Sequence, residues 1–243
     1  VERAYLVGKF ANAPIIRQVD LDLPAGKSLA ILGPSGSGKS SLAKLIVGVW
    51  SPTGGHVRID GADVAHWDKD FLGQHLGYLP QDVELFPGSV SDNIGRFDGS
   101  NADAILAAAK ASHAYDMILH LPEGFDTQLG EGGIQLSAGQ AQRIGLARAL
   151  YGKPRIIVLD EPNANLDAEG EQALIQTLND LKGQGVTVIM ITHKPSLVTP
   201  MDYLLVMREG RVDLLGPRDE VLAKLGMQAM PHPVAVARTG AFS

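Results

Sequence analysis

Residues 33–40 read GPSGSGKS, and no other stretch limits the possible folds as sharply. They satisfy G-x-x-x-x-G-K-[ST], a pattern whose chemistry is tied to one local architecture. Its glycines let backbone N–H groups turn inward onto phosphate oxygens, and a helix starting directly behind them adds positive potential. The flanks supply that setting. SLAILG (28–33) is a continuous apolar run, the mark of a strand buried on both faces, and it leads straight into the glycines. SSLAKLIVGVW follows, with Leu42, Leu45, Ile46 and Val49 at helical spacing. A flexible serine-glycine loop would use the same letters, but average composition produces the full pattern in such a chain on the order of once in a hundred times. In such a site Lys39 reaches the β- and γ-phosphates and the Ser40 hydroxyl ligates a divalent cation. Gly33, Pro34, Ser35, Gly36, Ser37 and Gly38 form the cradle, and Ser41 extends the first turn of the helix.

A buried strand of this kind needs parallel neighbours. RIIVLD (155–160), GVTVIMI (185–191) and DYLLVM (202–207) qualify, and DAEGEQALIQTLNDLKG between the first two reads as a crossover helix. Alternating strand and helix predicts a mainly parallel sheet covered on both faces. VDLDL (19–23) puts Val19, Leu21 and Leu23 on one face and acids on the other, which predicts a half-buried antiparallel strand. From 82 to 150 the texture changes. ADAILAAAKASHAYDMILHL is alanine-rich and helix-forming, without a buried-strand run, so an inserted helical subdomain is expected over 82–150, between core segments 1–81 and 151–226. Residues 227–243 show no periodicity and read as a loose tail.

Two further groups carry chemistry. Asp160 ends RIIVLD, where a carboxylate on a parallel strand faces the ligand crevice, and Glu161 stands one residue further on. Asp160 can hold the cation through water, and Glu161 can polarise an attacking water. Alone, the pair would read equally well as surface acids; beside a phosphate loop the functional reading leads. LSAGQ (136–140) starts a helix, with Ser137 and Gln140 in the S-x-x-Q relation of a capping box and Ile144, Ala147 and Tyr151 behind them. An anion site at a positive helix end and a merely well-capped helix both fit these residues.

Composition narrows the partners. The 243 residues are 45% apolar with a net charge of −6, enough for a substantial core and wrong in sign for nucleic acid. The absence of cysteine removes disulfides and thiolate metal sites and fits a reducing compartment. No apolar run reaches the roughly 18 residues that a bilayer-spanning helix needs, and no secretory leader opens the sequence. The first residue is Val1 rather than Met, so a piece of a longer chain is expected.

The order phosphate loop, glutamine, LSAGQ, apolar-DE and histidine resembles the ATP-binding cassette ATPases over about residues 5–225. That resemblance implies an α/β fold with a RecA-like phosphate-loop core, an antiparallel β subdomain and an inserted α-helical subdomain, with ATP and Mg²⁺ as ligands. LSAGQ is similar to the family signature LSGGQ, with Ala138 at its first glycine and Ser137, Gly139 and Gln140 matching. In that family two such domains pack head to tail, and each signature closes over the nucleotide held by the other. The second cradle would then serve a second copy's ATP. Gln81 in YLPQD resembles the glutamine that senses the cation and the water. Asp167 in NANLD resembles an aspartate at the dimer seam, although Asn163 and Asn165 depart from the commoner SALD form. His193, after GVTVIMIT, resembles the histidine that contacts the γ-phosphate. Phe10 is the candidate for stacking on adenine, with Tyr5 second.

Within the family, QDVELFPGSVSDNI and FDTQLGEGG resemble exporter segments, the latter placing Glu131 where coupling loops touch. Chromosome-handling cousins insert a long coiled coil between Gln81 and the signature, and none fits here. LDEPNANLD and VGVWSPTGGHVRIDGADVAHWD are similar to the protease-secretion branch of type I secretion. That implies an ATPase fused to or associated with a membrane domain at the cytoplasmic face of a bacterial inner membrane, working with a periplasmic adaptor and an outer-membrane channel on unfolded proteins. A lipid or drug half-exporter is the alternative, and a clamp that binds ATP without hydrolysis is a third. Leu85, Phe86 and Val90, apolar in a loop-like stretch, are expected to form a docking patch, with folding back into the helical core as the alternative.

Overall fold

A computed structural model describes residues 8–10, 13–98, 101–130 and 133–227. A short antiparallel hairpin joins β1 (Gly8–Phe10) to β2 (Ala13–Ile16), and β3 (Ser28–Leu32) leads into α1 (Lys39–Ile46). A second hairpin, β4 (Arg58–Ile59) with β5 (Ala62–Asp63), precedes α2 (Lys69–His75) and β6 (Leu76–Leu79). The next stretch holds β7 (Gly88–Ser89), α3 (Val90–Ile94), α4 (Ala102–Ala111), α5 (Tyr115–Leu119), β8 (Gln128–Leu129) and α6 (Ala138–Leu150). The chain continues with β9 (Ile156–Asp160), α7 (Ala168–Gly183), β10 (Thr187–Ile191), α8 (Pro195–Val198), β11 (Tyr203–Arg208), β12 (Arg211–Pro217) and α9 (Arg218–Lys224).

The central sheet runs β12-β11-β3-β10-β9-β6, with every neighbouring pair parallel except the edge hairpin β11–β12. Its inner strands carry apolar side chains on both faces because both faces are covered. Leu29 and Ile31 of β3 pack with Leu42, Leu45 and Ile46 of α1, whereas Ala30 between them joins Leu146 of α6, Leu174 and Leu178 of α7 and Val221 of α9. A third apolar cluster lies within the helical segment, where Ile94, Ile105, Ile118, Ile144 and Ala147 are all buried. This is the expected α/β core with small antiparallel hairpins and a helical insertion.

Four local expectations need correction. Val19, Leu21 and Leu23 are buried, yet residues 17–24 form no strand among the described residues; the alternation follows the core surface without a ladder partner. The α1 helix stops at Ile46, because Gly48 takes a left-handed φ of 73° and turns the chain, leaving Val49 61% exposed. The alanine-rich run breaks into α4 and α5 at Ser112–Ala114, where His113 adopts a φ of 54°. Val90 is fully buried in the helical core, at the start of a helix capped reciprocally by Ser89 and Asp92, so it belongs to no docking patch. Phe86 remains about half exposed, edge-on to Phe97, and Leu85 packs partly against the helical core.

Candidate functional site

The phosphate loop begins where β3 ends. Gly33 has a φ of 146°, and a Cβ there would lie 2.3 Å from the carbonyl oxygen of Met207 on the neighbouring strand, so only glycine passes this point. The loop closes on α1, whose N-cap is Gly38 at a φ of 97° with no side-chain cap, leaving first-turn N–H groups available to an anion. Lys39 folds back over the loop, its Nζ donating to Gly33 O at 2.8 Å and Pro34 O at 3.0 Å. Burial holds the Lys39 ammonium below the usual lysine range, partly offset by the charges of Glu161 and Asp160. Ser37 Oγ is buried and has no partner within the protein, a polar atom that a phosphate would satisfy. Pro34, Ser35 and Gly36 complete the turn, and Ser40 and Ser41 lie in the first turn of α1.

Asp160 ends β9 almost fully buried, and the Ser40 hydroxyl hydrogen-bonds its carboxylate. Burial pushes this carboxyl above the usual range and Glu161 adds to the push, while Ser40, Lys44 and Lys39 pull the other way. One oxygen, Asp160 Oδ1, is buried without a partner. A buried carboxylate with an orphaned oxygen beside a serine hydroxyl is a hard-oxygen donor set, and it fits a divalent cation that also takes phosphate oxygens. Among the described residues no cluster of three His, Cys, Asp or Glu forms a cage of its own, so the phosphates and water would complete the coordination.

Glu161 adopts a left-handed φ of 49°, a conformation that costs a non-glycine residue energy and recurs at functional positions. Its amide donates to Ile191 O at 3.0 Å, fixing the turn against the end of β10. That geometry sets its carboxylate between two side chains distant in sequence. Gln81 Nε2 donates to Oε2 at 3.2 Å, and His193 Nε2 lies 3.2 Å from Oε1. The structure thus brings Gln81, Glu161 and His193 into one cluster, with Asp160 adjacent along the chain.

The LSAGQ segment lies on a separate element. Ser137 Oγ accepts from Gln140 N at 3.2 Å and Gln140 Oε1 accepts from Ser137 N at 2.9 Å, the two bonds of a capping box at the N-terminus of α6. Among the described residues, no hydrogen bond joins 136–140 to 33–40 of the same chain. The segment is instead tied to residues 162–167. A Cβ on Gly139 would meet Asn165 O at 2.9 Å, Gln142 Nε2 donates to Pro162 O at 3.2 Å, and Arg143 lies 3.4 Å from Asp167. Asp167 also caps α7, accepting from Gly170 N at 2.8 Å, so its carboxylate has a structural duty besides any role at a seam.

Several supporting residues had no motif to betray them. Asn163 Oδ1 accepts from the buried Thr192 hydroxyl at 3.2 Å, linking the turn after Glu161 to the residue before His193. Arg148 donates to Glu84 O at 3.0 Å and lies over the Phe86 ring, bracing the segment after Gln81 from α6. Arg96 donates to Arg148 O at 3.1 Å and Gly73 O at 2.5 Å, clasping the end of α6 to α2. Arg148 stands in the sequence as a charged residue within the helical pattern of α6, whereas Arg96 and Asn163 lie in turns and carry no such signal. Phe10 lies in β1, but its side chain, Tyr5 and Glu131 fall outside the described residues, as does the tail beyond Met227.

The family model described as ABC transporter matches residues 16–164. The chain is 51% identical over 216 residues to the type I secretion system ATP-binding protein PrsD of Rhizobium meliloti, covering 88% of this chain and 37% of that one. It is 39% identical over 234 residues to an ATP-dependent lipid A-core flippase of Methylococcus capsulatus, covering 91% and 39%. Among solved structures, a bacterial Atm1-family ABC exporter with ATP bound superposes with a TM-score of 0.83 at 35% identity, over 91% of this chain and 39% of that one. The chain thus spans well under half the length of each of these relatives.

Proposed function

This chain belongs to the ABC transporter family, and from that premise we propose that it is the ATP-hydrolysing domain that drives an exporter, with Mg²⁺ as cofactor. The observation that carries the proposal is Glu161, held at a strained φ with Gln81 and His193 each 3.2 Å from its carboxylate. A base that orients water must be fixed and must reach the phosphate end, and here a strand end and two side chains fix it.

In this reading residues 33–41 grip the phosphates through backbone N–H groups, Lys39 and the helix start. Lys39 must release the Gly33 and Pro34 carbonyls to do so, and burial has already weakened its hold on the proton. When bound, Mg²⁺ supplies charge neutralisation on the β- and γ-phosphates. Ser40, Gln81 and Asp160, the last through water, are the residues proposed to hold it. Glu161 accepts a proton from the attacking water, and His193 steadies the γ-phosphate. Ser137, Gly139, Gln140 and Asp167 act on the nucleotide of a second copy, and Phe10 or Tyr5 covers the adenine. Residues 1–81 and 151–226 are proposed as the nucleotide-binding core with its β subdomain, and 82–150 as the helical signature subdomain.

Type I protein secretion is the proposed use of that ATPase, supported by the 51% identity to PrsD. The remainder of the transporter would be a membrane domain at the cytoplasmic face of a bacterial inner membrane, with a periplasmic adaptor, an outer-membrane channel and unfolded protein as cargo. The 39% identity to a lipid A-core flippase keeps a lipid exporter as the second reading. Among the described residues no helix is long and apolar enough to cross a membrane.

The experiment is steady-state phosphate release with Mg²⁺ and ATP. Replacing Glu161→Gln should leave nucleotide binding intact and cut turnover by roughly 10²–10⁴-fold. Turnover within about twofold of the parent would remove Glu161 from the role. No turnover by the parent, despite tight nucleotide binding, would favour a non-hydrolytic clamp.

A further inference from the structure

Besides Ser37 Oγ, two further buried polar atoms near the site are left without partners, and they belong to neighbouring strands. One is Asp160 Oδ1; the other is the hydroxyl of Tyr78. In the β6–β9 ladder Tyr78 pairs with Val158, so Asp160, two residues further along β9, projects to the same face one diagonal step away. That face is the α1 side, where Leu76, Val158 and Leu42 pack and where Tyr78 rests against them. Burial and then the Asp160 charge push the Tyr78 hydroxyl up to about 12. It therefore keeps its proton at any working pH and acts as a donor.

Buried tyrosine hydroxyls normally find an acceptor, and one left unpaired costs about 1–3 kcal/mol. Neither orphaned atom is hydrogen-bonded to the other, and one water between two such groups on neighbouring strands would satisfy both. We propose that Tyr78 is a positioning residue for the cation end of the site: its hydroxyl donates through one ordered water to Asp160 Oδ1 and aims that carboxylate at the metal. Ser40 braces the same carboxylate from α1, so the hydroxyls of Ser40 and Tyr78 act on it from two elements. Tyr78 also precedes Gln81 by three residues, so the strand that orients Asp160 is the strand that delivers Gln81. The inference rests on the reading of Asp160 as a cation-holding residue.

The test is Mn²⁺ binding to the ATP complex, followed by electron paramagnetic resonance in a Glu161→Gln background so that nothing turns over. Loss of a hydrogen-bonded support behind a metal-holding carboxylate commonly weakens metal affinity by about 10–100-fold, and Tyr78→Phe should fall at the lower end of that range. ATP affinity in the presence of EDTA and the melting temperature should stay at the parent values. With Glu161 restored, Tyr78→Phe should need more Mg²⁺ for half-maximal phosphate release but approach the parent rate at saturation. Unchanged Mn²⁺ affinity would overturn the proposal, as would an equal loss of metal-free ATP binding. Asp160→Asn in the same assay separates the two levels. If it weakens Mn²⁺ binding while Tyr78→Phe does not, the role of Tyr78 fails alone; if neither weakens it, the reading of Asp160 fails as well.

Discussion

Gly139→Ala sets two principles against each other at the start of α6. By helix propensity alone, alanine in place of glycine should stabilise by up to about 1 kcal/mol. The added Cβ, however, would lie 2.9 Å from the backbone oxygen of Asn165, closer than side-chain carbons come. A backbone atom cannot swing aside as the end of a flexible side chain can. The N-terminus of α6 must therefore move off residues 162–167, and overpacking of this kind costs about 1–3 kcal/mol. The clash should win: about 2 kcal/mol from the middle of that range, less about 1 kcal/mol of propensity, leaves a net loss of about 1 kcal/mol. For a domain of this size each kcal/mol shifts the melting temperature by about 2–4 °C, so a drop of about 2–4 °C is expected by calorimetry. Ala138→Gly is the control. Ala138 is exposed, so that change should cost only the propensity term of roughly 0.5–1 kcal/mol. If Gly139→Ala melts at or above the parent temperature, the close approach of α6 to Asn165 is wrong, and so is the tie between LSAGQ and residues 162–167.

Four further outcomes are expected. Lys39→Ala should weaken ATP binding itself, measured by fluorescence titration, because it removes a direct phosphate contact, whereas Glu161→Gln should not. Burial alone would raise the Asp202 carboxyl, yet Lys182 at 2.7 Å and the Ser28 amide and hydroxyl at 2.9 Å hold it below the usual range. A depressed carboxyl stabilises above its unfolded value and loses that contribution as pH falls through the folded one, so acid unfolding below about pH 4 should be steeper in the parent than in Asp202→Asn. At neutral pH, Asp202→Asn should itself cost about 1–2 kcal/mol by thermal melting, since it strips Lys182 of its partner. Glu131→Ala in the intact transporter should reduce cargo export more than it reduces ATPase of this chain; equal losses would assign Glu131 to the catalytic dimer instead.

Much of the fold could be read from local pattern. RIIVLD, GVTVIMI and DYLLVM contain β9, β10 and most of β11, because strands buried on both faces are written as unbroken apolar runs. The reciprocal cap of Ser137 and Gln140 was equally legible, since its partners lie three residues apart. What misled was pattern without a partner. Val19, Leu21 and Leu23 alternate because they cover the core, and alternation alone cannot say whether a neighbouring strand exists to pair with them. Val49 continues a helical spacing that Gly48 ends, and Val90 reads as a loop residue although Ser89 and Asp92 cap a helix that starts there. At the site, Glu161 is legible beside the phosphate loop, and Gln81 and His193 through the resemblance to the family's motifs, but their meeting depends on three separate strand ends. Arg96, Arg148, Asn163 and Tyr78 act through contacts with backbone or side chains from distant segments, and such contacts leave no trace in the letters around them.

Molecular mass in solution reads most directly whether LSAGQ serves the nucleotide of another copy, as proposed. Light scattering on the Glu161→Gln chain should give a monomer when apo or with ADP and a dimer with ATP, because each nucleotide then bridges two chains and is not consumed. Adding Ser137→Arg should abolish the dimer while leaving ATP affinity of the monomer nearly unchanged, since Ser137 has no hydrogen bond to its own phosphate loop. A dimer that persists without nucleotide, or one that survives Ser137→Arg, would contradict the account.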